Sequence, residues 1–198
     1  MIFYLLAEGK TEEYVASKLL PFCGHELSTI YGRKGVTEIK EKAPLFHFLA
    51  TEITGLLILT DFRDSKTKCV PEALQEYIFK KLSVVPKTYI LRFAVNEIES
   101  WLMADRDGIA NFLKVSKTKI PLNPDTIIKP KDSLINIART SRNKMIKNEF
   151  APPVGHLSKF GPNYMNLLYD YIINYWNIES AMNNSDSFKR CVNRLRSL

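Results

Sequence analysis

The hydrophobic positions of this chain gather into short continuous runs separated by stretches of helical period. Ile2 to Leu6 form one run, with Phe3 and Tyr4 inside it, and Gly55 to Thr60 form a second. Thr88 to Val95 make a third, and Leu27 to Tyr31 a weaker fourth. Runs without polar alternation have the composition of strands covered on both faces. Between them the period lengthens. Thr11 is placed to cap a first helix, with Glu12 and Glu13 in its opening turn where negative charge suits the macrodipole. Its stripe runs through Tyr14, Val15, Lys18, Leu19 and Leu20. A second helix is predicted over 37–52, broken or kinked at Pro44, and a third over 71–82 with Pro71 in its first turn. Strands and helices alternating at this rhythm predict an α/β fold with a mostly parallel sheet flanked by helices.

Beyond Asp105 the pattern changes. The sequence predicts a short helix over 107–113, a proline-rich loop over 120–124 and a basic helix over 133–147. An aromatic-rich helix over 166–175 and a basic amphipathic helix over 185–196 follow, with no strand-like run among them. Residues 106–198 therefore read as a C-terminal helical elaboration packed on a 1–105 core, one structural domain rather than two. Charge sharpens the division. Residues 1–105 hold 13 Lys+Arg against 14 Asp+Glu, a net −1, whereas residues 106–198 hold 15 against 7, a net +8, which together make the chain's +7. Positive surface is the footprint of a nucleic-acid binder. Lys131, Arg139, Arg142, Lys144 and Lys147 are the candidates to face phosphate there, with Lys10 near the start of the chain.

A hydrophobic content of 45% excludes a disordered chain, and no apolar run approaches the ~18 residues of a membrane span. The first residues lack a basic region, and Glu8 cuts their apolar run short, so a secretory signal is not expected. Cys23, Cys69 and Cys191 are scattered without a C-x-x-C, which reads as reduced thiols in a cytoplasmic protein. His25, His47 and His156 show no zinc spacing.

Candidate chemistry lies where the strong strands end. Glu8 follows the first, Asp61 and Asp64 the second, and Glu97 and Glu99 the third. Parallel strands place their carboxyl ends along one edge, where open α/β sheets bind ligands, so these acids are expected to converge. Gly9-Lys10-Thr11 looks like the end of a phosphate-binding loop, but Tyr4 stands where that motif needs its first glycine. Crowded acids repel and are kept where cations compensate them. A set without histidine or thiol suits Mg2+ or Mn2+, and two such ions can clamp the attacking and leaving oxygens of a phosphodiester displacement. Glu8, Asp61 and Glu99 are the candidate catalytic residues and metal ligands, with Glu12, Asp64 and Glu97 assisting. Asp105 reads as a helix cap, and Trp101 and Leu102 as core anchors. Tyr164, Tyr169, Tyr171, Tyr175 and Trp176 are spaced for helix packing rather than base stacking.

The chain resembles Toprim-like proteins, the catalytic fold shared by topoisomerases, primases and OLD-class nucleases. That pattern has a glutamate after its first strand, matched by Glu8 in AEGKTEE, and a later D-x-D, whose first acid Asp61 matches. The second acid departs: DFRD is D-x-x-D, with Arg63 where the aspartate would be and Asp64 one position on. Within Toprim proteins the chain resembles a small stand-alone bacterial group with E-G-x-T-E, E-[AS]-W-L-x-A-D and S-x-S-F. Glu8–Glu12, Glu99–Asp105 and Ser185–Phe188 match these in order. The resemblance to OLD-class nucleases implies metal-ligand roles for Glu8, Glu12, Glu97 and Glu99, and relatives working beside an ATPase encoded nearby in anti-phage defence. It makes a metal-dependent nuclease of DNA or RNA the expected function. An RNA-cleaving toxin is the runner-up in that class, and a non-catalytic Toprim-like subunit that binds an ATPase or nucleic acid is the alternative outside it.

Overall fold

The computed structural model of the chain describes residues 1–64, 67, 69–79, 81–152 and 157–198, with Asp64, Ile78 and Phe79 described by backbone alone. Four strands, β1 (Ile2–Ala7), β2 (Glu26–Gly32), β3 (Thr54–Asp61) and β4 (Tyr89–Ala94), form one all-parallel sheet in the order β2-β1-β3-β4. The two central strands are the two most uninterrupted apolar runs, as burial on both faces requires. Alternate side chains divide between two layers. Phe3, Leu5, Ala7, Leu57, Leu59 and Ile90 face one side, and Leu6, Leu56, Ile58, Leu91 and Phe93 the other.

Helix α1 (Lys10–Phe22) packs on the first side through Val15, Ala16, Leu19 and Leu20. Its N-cap is Gly9 rather than the predicted Thr11, because the Glu12 carboxylate reaches back to accept from Gly9 N at 2.9 Å. On the second side lie α2 (Val36–Leu45), which gives way to a 3₁₀ turn one residue after Pro44, and α3 (Val70–Leu74), which widens into a π-helical turn over Gln75–Phe79. Gly32 ends β2 at φ +91°, where a Cβ would stand 2.3 Å from Ala7 O, so only glycine brings the chain this close to β1.

After β4 the chain is helical: α4 (Ile98–Ala104), α5 (Arg106–Leu113), α6 (Pro130–Ala138), α7 (Lys144–Phe150), α8 (Tyr164–Asp170), α9 (Ile178–Asn184) and α10 (Asp186–Arg196). The predicted basic helix over 133–147 is two helices. Thr140 Oγ1 turns back onto Ile137 O, and the Asn143 side chain caps α7 by accepting from Met145 N and Ile146 N. α8 starts two residues earlier than the aromatic pattern suggested, and α9 had no sequence signal strong enough to announce it. One apolar cluster runs from β1 and α1 through Trp101 and Leu102 to Tyr164, Tyr171, Trp176 and Phe188, so the helical part shares its core with the sheet. Among the described residues no helix is long and apolar enough to cross a membrane.

Candidate functional site

Parallel register brings the strand ends level. Ala7 pairs with Leu59, and Asp61 with Ala94, so Glu8, Asp61 and the turn before α4 share one edge. Glu8 N continues the ladder by donating to Leu59 O at 3.2 Å. The Glu8 carboxylate then lies across the end of β3, accepting from Thr60 Oγ1 at 2.5 Å and Asp61 N at 3.0 Å. Asp61 in turn accepts from Ile98 N at 2.8 Å, which ties the end of β3 to the first turn of α4. In the same turn, Glu99 accepts from the Tyr164 hydroxyl at 3.0 Å, and Lys131 Nζ stands 3.8 Å from the same oxygen. Glu12 reaches the site from the first turn of α1.

These four acids sense one another. Glu12, Asp61 and Glu99 are 5%, 8% and 3% exposed. Burial, reinforced by the charges of Glu99 and Glu8, pushes the Glu12 carboxyl up to about 8. Burial and the charges of Glu12, Glu99 and Glu8 drive Asp61 well above the usual carboxylate range. Burial also raises Glu99, while Lys131 and the Tyr164 hydroxyl pull it back. The edge of the sheet thus concentrates negative charge beyond what its own donors compensate, which favours protons or a cation there.

The other candidates fall elsewhere. Glu97, 1% exposed, is held by the Arg63 guanidinium and by Lys131 N at 2.9 Å, so its oxygens are directed to those partners. The Asp64 side chain lies outside the described residues, as does His156. Lys10 is half exposed and pairs with Glu13 at 3.4 Å. Arg139 donates to Asn136 at 2.7 Å on α6, and Arg142, Lys144 and Lys147 are exposed around the start of α7. Only Lys131 of the basic set touches an acid of the site, and its ammonium also sits 5.1 Å over the rings of both Phe160 and Tyr164. Asp105 caps α5, accepting from Gly108 N, and Trp101 is wholly buried against Phe188.

Three participants had no recognisable signal in the sequence. Tyr164, read as a packing residue, both packs on Phe150 and donates to Glu99, 65 positions away. Thr60 belongs to an apolar strand yet supplies a hydroxyl to Glu8. Arg63, two positions after Asp61, pairs with Glu97.

The donors at this edge are all carboxylate oxygens, a chemistry that fits a hard divalent cation. Among the described residues, however, no three histidine, cysteine or acidic side chains surround one point as the ligands of a metal ion do. Comparison of the chain with protein-family models, curated proteins and solved structures finds no match.

Proposed function

We propose that the chain is a divalent-metal-dependent hydrolase of phosphodiester bonds in DNA or RNA. The observation that carries this reading is the meeting of buried Glu12, Asp61 and Glu99 with half-buried Glu8 at the carboxyl edge of a parallel sheet, where their charges repel one another. Glu8, Asp61 and Glu99, with Glu12 beside them, would hold Mg2+ or Mn2+. Such an ion supplies charge stabilisation at a phosphoryl oxygen and lowers the pKa of bound water.

The chain's own residues prepare the site. Thr60 Oγ1 and Asp61 N fix the Glu8 carboxylate, and Ile98 N fixes Asp61. Tyr164 holds Glu99 in one orientation. Lys131, steadied over two aromatic rings, would meet a phosphate beside the acids. Thermal melting with Mn2+ and cleavage of plasmid, single-stranded DNA and transfer RNA test the proposal together. Mn2+ should raise the melting temperature, Glu8→Gln should abolish that shift, and both Glu8→Gln and Asp61→Asn should stop cleavage. A protein that melts alike with and without millimolar Mn2+ and cuts none of the three would overturn it.

A second reading has its own observation. Arg63 occupies the position of the second acid of D-x-D and pairs with Glu97. A subunit that binds a partner ATPase or nucleic acid without cutting would tolerate that exchange, and it would show neither cleavage nor a metal-dependent melt.

A further inference from the structure

The free edge of β4 carries a second site, away from the acids. Among the described residues, strand order leaves β4 with a neighbour on one side only. Leu56 N donates to Thr88 O at 3.0 Å, and Leu56 is the register partner of Tyr89, so residues 88, 90, 92 and 94 direct their peptide groups at β3. Leu91 and Phe93 therefore turn their N–H and C=O groups outward. Tyr89, the first residue of this outward set, donates to the loop at Pro86 O. An exposed strand edge is a template for another strand, and a buried one lacks even water as a partner.

Here the edge forms the floor of a groove. Val70 and Leu74 of α3 line one wall, and Ser187 and Arg190 of α10 the other, around a cavity of about 510 Å3. That volume lies within the ~300–1,000 Å3 of ligand pockets. From Leu91 to Val95 the floor runs roughly 13 Å, at ~3.3 Å per residue. Leu91 and Phe93 are 3% and 4% exposed, so their outward peptide groups lie deep in this groove.

Arg92 projects into the same space. One of its amino groups donates to Leu91 O at 3.0 Å, while its Nε is buried and finds no acceptor among the described residues. The acids nearby are engaged: Asp125 accepts from Ser185 Oγ at 2.7 Å and Ser187 N at 2.9 Å, and Asp186 pairs with Arg190 at 2.7 Å. A guanidinium whose Nε lacks an acceptor, beside a strand edge with outward N–H groups and apolar walls, is a recognition surface for an extended chain bearing an acid. A second copy of this protein does not fit, because α3 and α10 stand on both sides of β4 and keep two such edges apart.

We propose that this groove binds an extended segment of another polypeptide, which adds a fifth strand beside β4 and sets an acidic side chain on Arg92. Random octapeptides displayed on phage, panned against the full chain, test this directly. The enriched peptides should alternate apolar residues around an acid. Arg92→Gln should weaken the selected synthetic peptide at least tenfold, and Leu74→Trp, which fills the groove, should abolish capture while melting as wild type does. Amide hydrogen exchange of the wild-type complex gives an independent reading that needs no variant. Leu91 and Phe93 should slow at least tenfold on binding, while Ile90 and Arg92, already bonded to β3, should not change. Failure to enrich any motif beyond that obtained on Leu74→Trp, or binding that leaves Leu91 and Phe93 exchange unaltered, would overturn the proposal.

Discussion

Glutamine in place of Glu12 removes one charge from the acidic edge while keeping an oxygen able to accept from Gly9 N. Burial and the charges of Glu99 and Glu8 lift this carboxyl from an ordinary 4.5 to about 8. At 1.36 kcal/mol per unit, that shift corresponds to roughly 5 kcal/mol of differential stability. The folded chain holds the proton more tightly than the unfolded chain does. The contribution is therefore fully present below pH 4.5 and is lost as pH rises through 8. Urea unfolding in chelator at pH 5, 7 and 8.5 should show wild-type stability falling across this window. Glu12→Gln should fall less steeply, equal wild type within ~1 kcal/mol at pH 5, and exceed it by about 3–5 kcal/mol at pH 8.5. Asp61 and Glu99, raised for the same reason, keep the remaining slope. Saturating Mn2+ should reverse the order at pH 8.5, because a cation replaces the protons. Parallel pH curves for the two proteins in chelator would refute the claim that these acids are buried against one another.

Three further outcomes follow from named contacts. Tyr164→Phe deletes the hydroxyl that Glu99 accepts from and should cost about 1–3 kcal/mol in urea unfolding at pH 8.5, with a lower apparent Mn2+ affinity. Asp105→Ala leaves Gly108 N and Asn177 N without their acceptor at 3.2 and 2.9 Å, removes one of the two acceptors of Tyr171 Oη, and should cost about 3 kcal/mol by thermal melting. Its metal-induced shift should survive, since Asp105 caps a helix and lies outside the ligand set. Gly55→Ala places a Cβ 2.3 Å from the Phe3 ring and should destabilise by ~1–3 kcal/mol, again measured by melting.

Legibility in the sequence followed the length and purity of each signal. β1, β3 and β4 were apparent because six to eight residues of nearly unbroken apolar character have few other uses, and their parallel order followed from the helices between them. The convergence of Glu8, Asp61 and Glu99 was legible for the same reason, since the end of a strand fixes where the next residue must be. Breaks inside helices were not. The split between α6 and α7 depends on which backbone group Thr140 and Asn143 choose, and period alone does not encode that choice. Partners contributed from distant elements were also invisible. Nothing around Tyr164 announces that its ring packs on Phe150 while its hydroxyl meets Glu99, and nothing around Lys131 announces two aromatic rings beneath its ammonium.

The division of charge along the chain acquires a structural meaning at Glu99. The first 105 residues are nearly neutral, yet they gather four of their fourteen acids at one edge of the sheet, whereas the excess of cations belongs to the helices that follow. If those helices served only to hold phosphates, their lysines and arginines would stand clear of the acids, as Arg142, Lys144 and Lys147 do. Lys131 does not stand clear. Its backbone N–H holds Glu97, its ammonium faces Glu99, and the rings that steady it come from Phe160 and Tyr164, further along the same helical part. The C-terminal part thus sets the protonation of the edge as well as offering positive surface around it. A single ammonium moderates Glu99 alone and leaves Glu12 and Asp61 raised. That incomplete compensation leaves this edge favouring protons, or a cation in their place, as a fully paired ion network would not.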